Sequence, residues 1–162
     1  MSHVTSINDI VIKEEDLKVL PAVCEELGLT LNQGQSSYKW YGRWVNDYSA
    51  QDAAHLNGIT PDMYGKCEHA LSVPNNPTAY EVGVTKIADG TYRFAFDFWS
   101  GGHGLCKHIG AKGEKLYQTF NKHKALANAQ KAGLKVKNIE NSSTGKIKIT
   151  LGPKFSTPFG GK

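Results

Sequence analysis

The sequence predicts an α+β fold, a mostly antiparallel sheet with two main helices on one face, and three observations carry that expectation. An Asp89-Gly90 pair joins two strand-like runs, the mark of a tight hairpin. Two stretches with apolar residues three and four apart, at 14–27 and about 112–132, read as helices. A second alternating pair, 134–140 and 146–151, reads as a closing hairpin. The element order is then strand, helix, strand, insertion, strand, strand, helix, strand, strand. Its two strand-helix-strand halves suggest a ferredoxin-like arrangement with an aromatic insertion. Residues 1–151 are expected to form a single domain, with the insertion at about 33–78 and a flexible tail from 152 to 162.

From the N-terminus, His3 to Ile12 reads as a strand of imperfect alternation. In Glu14 to Leu27, the residues Leu17, Leu20, Cys24 and Leu27 share one helical stripe, and acidic residues crowd the first turn, where the helix dipole favours them. Gly28 caps this helix. Pro21 lies too deep for a helix that begins at Glu14, so the pattern predicts a kink or a start near Asp16 to Lys18. A short strand follows Leu29. The insertion then interleaves Tyr38, Trp40, Tyr41 and Trp44 with Lys39 and Arg43, a mixture that suits base stacking and equally suits a plain packed hairpin. Asp47 to Asn57 reads as a short helix ended by Gly58, Thr60-Pro61-Asp62 as a helix or turn start, and Cys67 to Val73 as a strand.

In the central hairpin, Tyr92, Phe94, Phe96 and Phe98 alternate with Arg93, Ala95, Asp97 and Trp99, so the aromatic face should be core. A two-residue turn at Asp89-Gly90 would pair Ala88 with Thr91, set Gly83 opposite Phe96 and set Val84 opposite Ala95. A glycine there leaves a gap that a ring can cover. Asp97 falls among apolar neighbours. In the second helix Leu116, Tyr117, Phe120 and Ala127 make the buried face, with a break near Asn121 and a cap at Gly133. In the last strand Ile147, Ile149 and Leu151 alternate with Lys146, Lys148 and Thr150.

The chain has 162 residues, of which 40% are hydrophobic and 21% charged, enough for a sizeable core. No apolar run approaches the roughly 20 residues that span a bilayer. The N-terminus lacks the basic and apolar regions of a signal peptide, so no membrane partner and a cytoplasmic location are expected, in the host cell if the chain is phage-encoded. Cys24, Cys67 and Cys106 make no disulfide framework and fit a reducing compartment. The net charge of +4 conceals an asymmetry. Residues 1–106 carry 7 Lys or Arg against 13 Asp or Glu, whereas residues 107–162 carry 12 Lys against 2 Glu. Such a run of lysines either solvates outer faces or offers a surface to phosphate.

Several short motifs occur in order: the Met1-Ser-His3 strand before Leu17-x-x-Leu20, Cys67-x-His69-Ala70, Asp97-Phe98-Trp99, Leu116-Tyr117, and Gly133 before Thr144-Gly145-x-Ile147. Together they resemble the hypothetical chloroplast reading frame thirty-five family of plastids, cyanobacteria and bacteriophages. The resemblance covers nearly the whole chain, and the aromatic insertion is similar to that of the phage members. It implies a domain and a phage context. The family has no established activity, so the resemblance supplies no catalytic residue.

Three constellations bear on chemistry. Ser100-Gly101-Gly102-His103-Gly104 follows the central strand, and with Lys107 its exposed amides are a candidate anion cradle, although the Gly-Lys-Ser ending of a phosphate loop is absent. Cys67, His69, His103, Cys106 and His108 are ligands of the kind zinc prefers, but their spacing matches no recognised motif, and no cofactor or metal is expected. Asp97 and His103 are acid-base candidates and Cys106 a candidate nucleophile, with no third group in sequence to orient them. Three function classes follow: a non-enzymatic, phage-derived accessory binding protein of unknown target; a nucleic-acid-binding protein using Lys112, Lys115, Lys122, Lys124 and Lys131; and a small-ligand binder or small enzyme at the end of the central strand.

Overall fold

The computed structural model describes residues 4–6, 12–40, 63–141 and 147–153. Its centre is the expected hairpin, β4 (Val82–Lys86) and β5 (Tyr92–Asp97). These two strands sit inside a five-stranded sheet with β1 (Val4–Ser6), β2 (Thr30–Gln33) and β3 (His69–Ser72). The order is β1-β5-β4-β3-β2 and every pairing is antiparallel, so β2 to β5 form a meander and β1 adds to its far edge. The helices are α1 (Leu20–Leu27), the short α2 (Cys106–Ile109) and α3 (Glu114–Lys131), and the separate hairpin of β6 (Leu134–Asn141) and β7 (Ile147–Pro153) follows. The class is therefore α+β with a mostly antiparallel sheet. The ferredoxin-like arrangement is not what the pairing gives. That arrangement interleaves strands of both halves in one sheet, whereas β6 follows α3 after only Ala132 and Gly133 and pairs with β7 alone.

The helix start differs from the expectation for a physical reason. Residues Glu14–Val19 form a tighter 3-10 turn, and the α-helix begins only at Leu20, which places Pro21 in its first turn, where no amide partner is needed. Gly28 then caps the helix with φ +73°, and Leu29 N donates to the Cys24 carbonyl at 2.8 Å. In α3 no break occurs at Asn121, because the residue simply points outward from an unbroken helix. Gly152 and Pro153, expected in the tail, belong to β7. Expectations for residues 7–11, 41–62, 142–146 and 154–162, including the helix at Asp47 to Asn57, lie outside the described residues.

The central register is one residue away from the sequence expectation. Val84 faces Phe94, Gly83 faces Ala95 and Lys86 faces Tyr92. The cause is the loop, which holds three residues rather than two. Ile87 and Thr91 close it, Gly90 N donates to the Ile87 carbonyl at 2.9 Å, and Gly90 sits at φ +87°, so a type I turn followed by a left-handed glycine replaces the mirror-image turn. Asp89 favours this form, since its carboxylate accepts both the amide and the hydroxyl of Thr91. Those bonds hold the exposed Asp89 carboxyl below its ordinary range.

The shift sorts the side chains cleanly onto two faces. Val82, Val84, Tyr92, Phe94 and Phe96 meet Leu20, Val23 and Cys24 of α1 and Leu116 and Phe120 of α3 in the main core. Phe94 and Phe120 pack edge to face with centroids 5.3 Å apart. On the other face Tyr38, Tyr64, Cys67, Ala70, Ile87 and Ala95 form a second buried cluster, with Trp40 and Met63 packed against it. The described part of the insertion therefore covers the sheet opposite the helices. Gly83 allows this, because the Tyr38 ring lies directly on it.

The β6–β7 hairpin carries a bulge at Lys137, between the pairs Val136–Leu151 and Asn138–Thr150. That extra residue brings Ile139 back to the face of Leu134 and Val136, opposite Ile149. Leu134, Val136, Ile139 and Leu151 each remain 37–41% exposed.

Candidate functional site

The lysine-rich part of the chain is arranged by α3 and by the short α2 before it. The two are joined by a turn in which the Glu114 carboxylate folds back to accept the amides of Ala111 and Lys112, both at 2.9 Å. Desolvation acts to raise the Glu114 carboxyl, but these amide bonds outweigh it and hold it below the ordinary value. The positive end of α3 is thus occupied by the chain itself, and the lysines, not the helix terminus, are what an anion meets.

Lys115 and Lys122 are seven residues apart and so lie on one side of α3. Lys107 of α2 joins them, and the three line a groove of about 360 Å³ with Gln118 and Thr119 on one wall and Leu27 of α1 on the other. His108 fixes the wall, since its Nδ1 lies 2.8 Å from the Leu27 carbonyl, which can only accept. Glu26 also lines the groove, and Lys122 contacts both its carboxylate oxygens at 2.6 and 2.7 Å while His123 Nε2 lies 2.9 Å from one of them. Desolvation acts to raise the Glu26 carboxyl, and the bonds and charges of Lys122 and His123 override it, leaving the group lowered. Lys107 and Lys115 make no ion pair among the described residues.

Lys124 and Lys131 do not join this groove. Nine residues of helix separate Lys124 from Lys115, a turn of about 180° at 3.6 residues per turn. Lys124 instead pairs with Asp16 at 3.3 Å, and Lys131 lies near Lys18. Lys112 is exposed in the turn before α3. The seven-residue spacing of Lys115 and Lys122 was the readable signal. Lys107 belongs to the same lysine-rich run, whereas Glu26 and Leu27 come from α1, whose packing no spacing reveals.

The glycine cluster after β5 forms an unusual turn. Ser100, Gly101, Gly102 and His103 all take left-handed backbone angles, with φ between 52° and 64°. Two of these residues are not glycine, a conformation that L-residues rarely adopt. Several contacts hold it. The Gly102 carbonyl accepts the Tyr80 amide at 2.9 Å, Asn76 Nδ2 donates to the His103 carbonyl at 3.3 Å, and the His103 ring packs edge-on against Tyr80 and Trp99. Gly102 is buried, and a Cβ there would lie 2.9 Å from Leu105. Lys107 leaves this turn for the α2–α3 groove, so Gly101, Gly102, His103 and Gly104 are not joined by a lysine there.

The acid-base and metal candidates are spread over the molecule. Asp97 is fully buried and accepts the Trp99 amide at 3.0 Å. Desolvation first, then the charges of Glu114 and Asp97, push the Cys106 thiol up, which makes it a poor nucleophile at neutral pH. Cys67 lies under the insertion with its thiol 3.1 Å from the Gln35 carbonyl, and His69 Nδ1 accepts the Gly34 amide. Among the described residues no three His, Cys, Asp or Glu side chains converge on one point. No helix among them is long and apolar enough to cross a membrane. Comparison with protein-family models, with curated proteins and with solved structures gives no match.

Proposed function

We propose that the protein is a non-enzymatic accessory binding protein whose ligand is the phosphate backbone of a nucleic acid, held along the α2–α3 groove. The observation that supports this reading is the convergence of Lys107, Lys115 and Lys122 on one open channel, with two of the three lysines unpaired among the described residues. Unpaired lysines keep their full attraction for phosphate, and Gln118 and Thr119 add uncharged hydrogen-bonding groups. The described lining offers lysines to phosphate rather than groups to base edges, so binding is expected to be indifferent to sequence. A second reading, a small ligand at the end of β5, is favoured by one feature, the left-handed residues Ser100 and His103 beside the exposed Trp99.

Fluorescence anisotropy with labelled single-stranded and double-stranded oligonucleotides at several salt concentrations tests the leading reading. Each lysine that neutralises a phosphate contributes about 0.7–0.9 to the slope of log affinity against log salt, so the two unpaired lysines give a slope of about −1.4 to −1.8. Lys107→Glu with Lys115→Glu should abolish most of that slope while leaving the Lys122–Glu26 pair intact. Absence of binding at low salt, or an unchanged slope in this variant, refutes it.

A further inference from the structure

We propose that a second groove, between the start of α1 and the last half of α3, seats an acidic amphipathic helix of a partner protein. This groove holds about 550 Å³ and shares no lining residue with the lysine channel. Its floor is apolar, from Val19, Ala22, Leu126 and Ala127. Its rim is cationic, from Lys18 and Lys131. The groove is open to solvent, which suits the ridge of a further helix laid against two packed ones better than a small molecule that needs enclosure.

The charge of the rim selects among helices. Lys18 comes from the 3-10 turn and Lys131 from the last turn of α3, so only the fold brings them together. Both also line a smaller adjoining hollow with Glu15, Asp16 and Lys124. There Asp16 is committed to Lys124, and neither Lys18 nor Lys131 makes an ion pair among the described residues. His123, which also lines the groove, is held by Glu26. Lys18 and Lys131 thus stand together beside an apolar floor, with Glu15 the one nearby carboxylate not held by a lysine among the described residues, and a carboxylate beside an apolar ridge supplies the charge they lack. A phosphate backbone has no such ridge, and a basic helix would meet repulsion at the lysine rim. Fluctuation of two long lysine side chains is the entropy the partner must overcome, so the apolar contact gives most of the affinity and the charges give the preference.

The probe is a fluorescein-labelled synthetic amphipathic helix with leucines at i, i+3, i+4 and i+7 and glutamates flanking them, compared with the same peptide carrying lysines for glutamates. The wild-type protein should bind the acidic peptide at least about tenfold more tightly than the basic one. Ala22→Arg fills the floor from an exposed helical position and should weaken acidic-peptide binding by about tenfold or more. Lys18→Glu with Lys131→Glu should reverse the preference between the two peptides. Equal binding of both peptides, no binding of either, or binding untouched by Ala22→Arg overturns the proposal. The same variants leave Lys107 and Lys115 in place, so oligonucleotide binding by Ala22→Arg separates failure here from failure of the nucleic-acid reading.

Discussion

Replacing Gly83 by alanine probes how the two faces of the sheet are built. A Cβ at this position would lie 2.7 Å from Cε1 and 2.9 Å from Cγ of Tyr38, and closer still to Cδ1. Carbon atoms in contact prefer about 3.5–4.0 Å, so the ring must retreat by roughly an ångström. Tyr38 is only 4% exposed and sits among Tyr64, Cys67, Ala70, Ile87 and Ala95, which leaves it nowhere to go without disturbing them. Overpacking of this kind costs about 1–3 kcal/mol, and the lower entropy of an unfolded alanine returns about 0.4–1 kcal/mol. The expected net loss is therefore about 1–2 kcal/mol. In a Tyr38→Leu background the obstacle is gone, and Gly83→Ala should become neutral or slightly stabilising. Urea unfolding followed by tryptophan fluorescence on the four proteins of the cycle measures the coupling, expected at about 1–3 kcal/mol. Equal costs of Gly83→Ala in both backgrounds would show that the ring does not rest on the glycine.

Phe96→Ala should cost about 3–5 kcal/mol, because the ring is fully buried in the main core, and a loss below about 1 kcal/mol in the same urea assay would assign it to the wrong face. Burial raises the Cys24 thiol to about 11 and, with Glu81 and Glu68, the Cys67 thiol to about 12. Both folded values lie above the ordinary thiol value, so the unfolded chain loses these protons first. Their contribution is complete below pH 9 and declines as pH rises through the folded values. Stability measured from pH 8 to 10.5 should fall less steeply in Cys24→Ala with Cys67→Ala than in the wild type, and equal slopes would exclude a thiol contribution.

The parts of the fold legible in sequence were those set by local chemistry. Phe94 and Phe96 announce a buried face through their period of two, and Leu116 and Phe120 announce one through their period of four. The Asp89-Gly90 pair marks the turn, yet it is compatible with two loop lengths, and the choice rests on the Asp89 bonds to Thr91. That single residue decides whether Val84 or Thr85 meets Phe94. Gly83 was readable as a place where a ring approaches, but the ring is Tyr38, forty-five residues away in sequence, rather than a cross-strand phenylalanine. Long-range approach leaves no periodic trace. The lysine groove was half legible for the same reason: helix spacing joins Lys115 to Lys122, while only the packing of α1 adds Leu27 and Glu26. Lys18 and Lys131, unpaired among the described residues, were hidden entirely, since each looks like an ordinary solvated lysine until the helices meet.

The turn after β5 has a consequence for the chirality of the chain. Four successive residues there trace the mirror image of an ordinary helical turn, and Gly101 and Gly102, having no handedness, enter it freely. Ser100 and His103, one on each side of them, are each built from the enantiomer that this path disfavours by roughly 1–2 kcal/mol. Between β5 and α2, handedness rather than size, charge or polarity is thus what first sets the energetic cost of a side chain. The serine hydroxyl and the histidine ring stand there on a backbone that would accept glycine at every step.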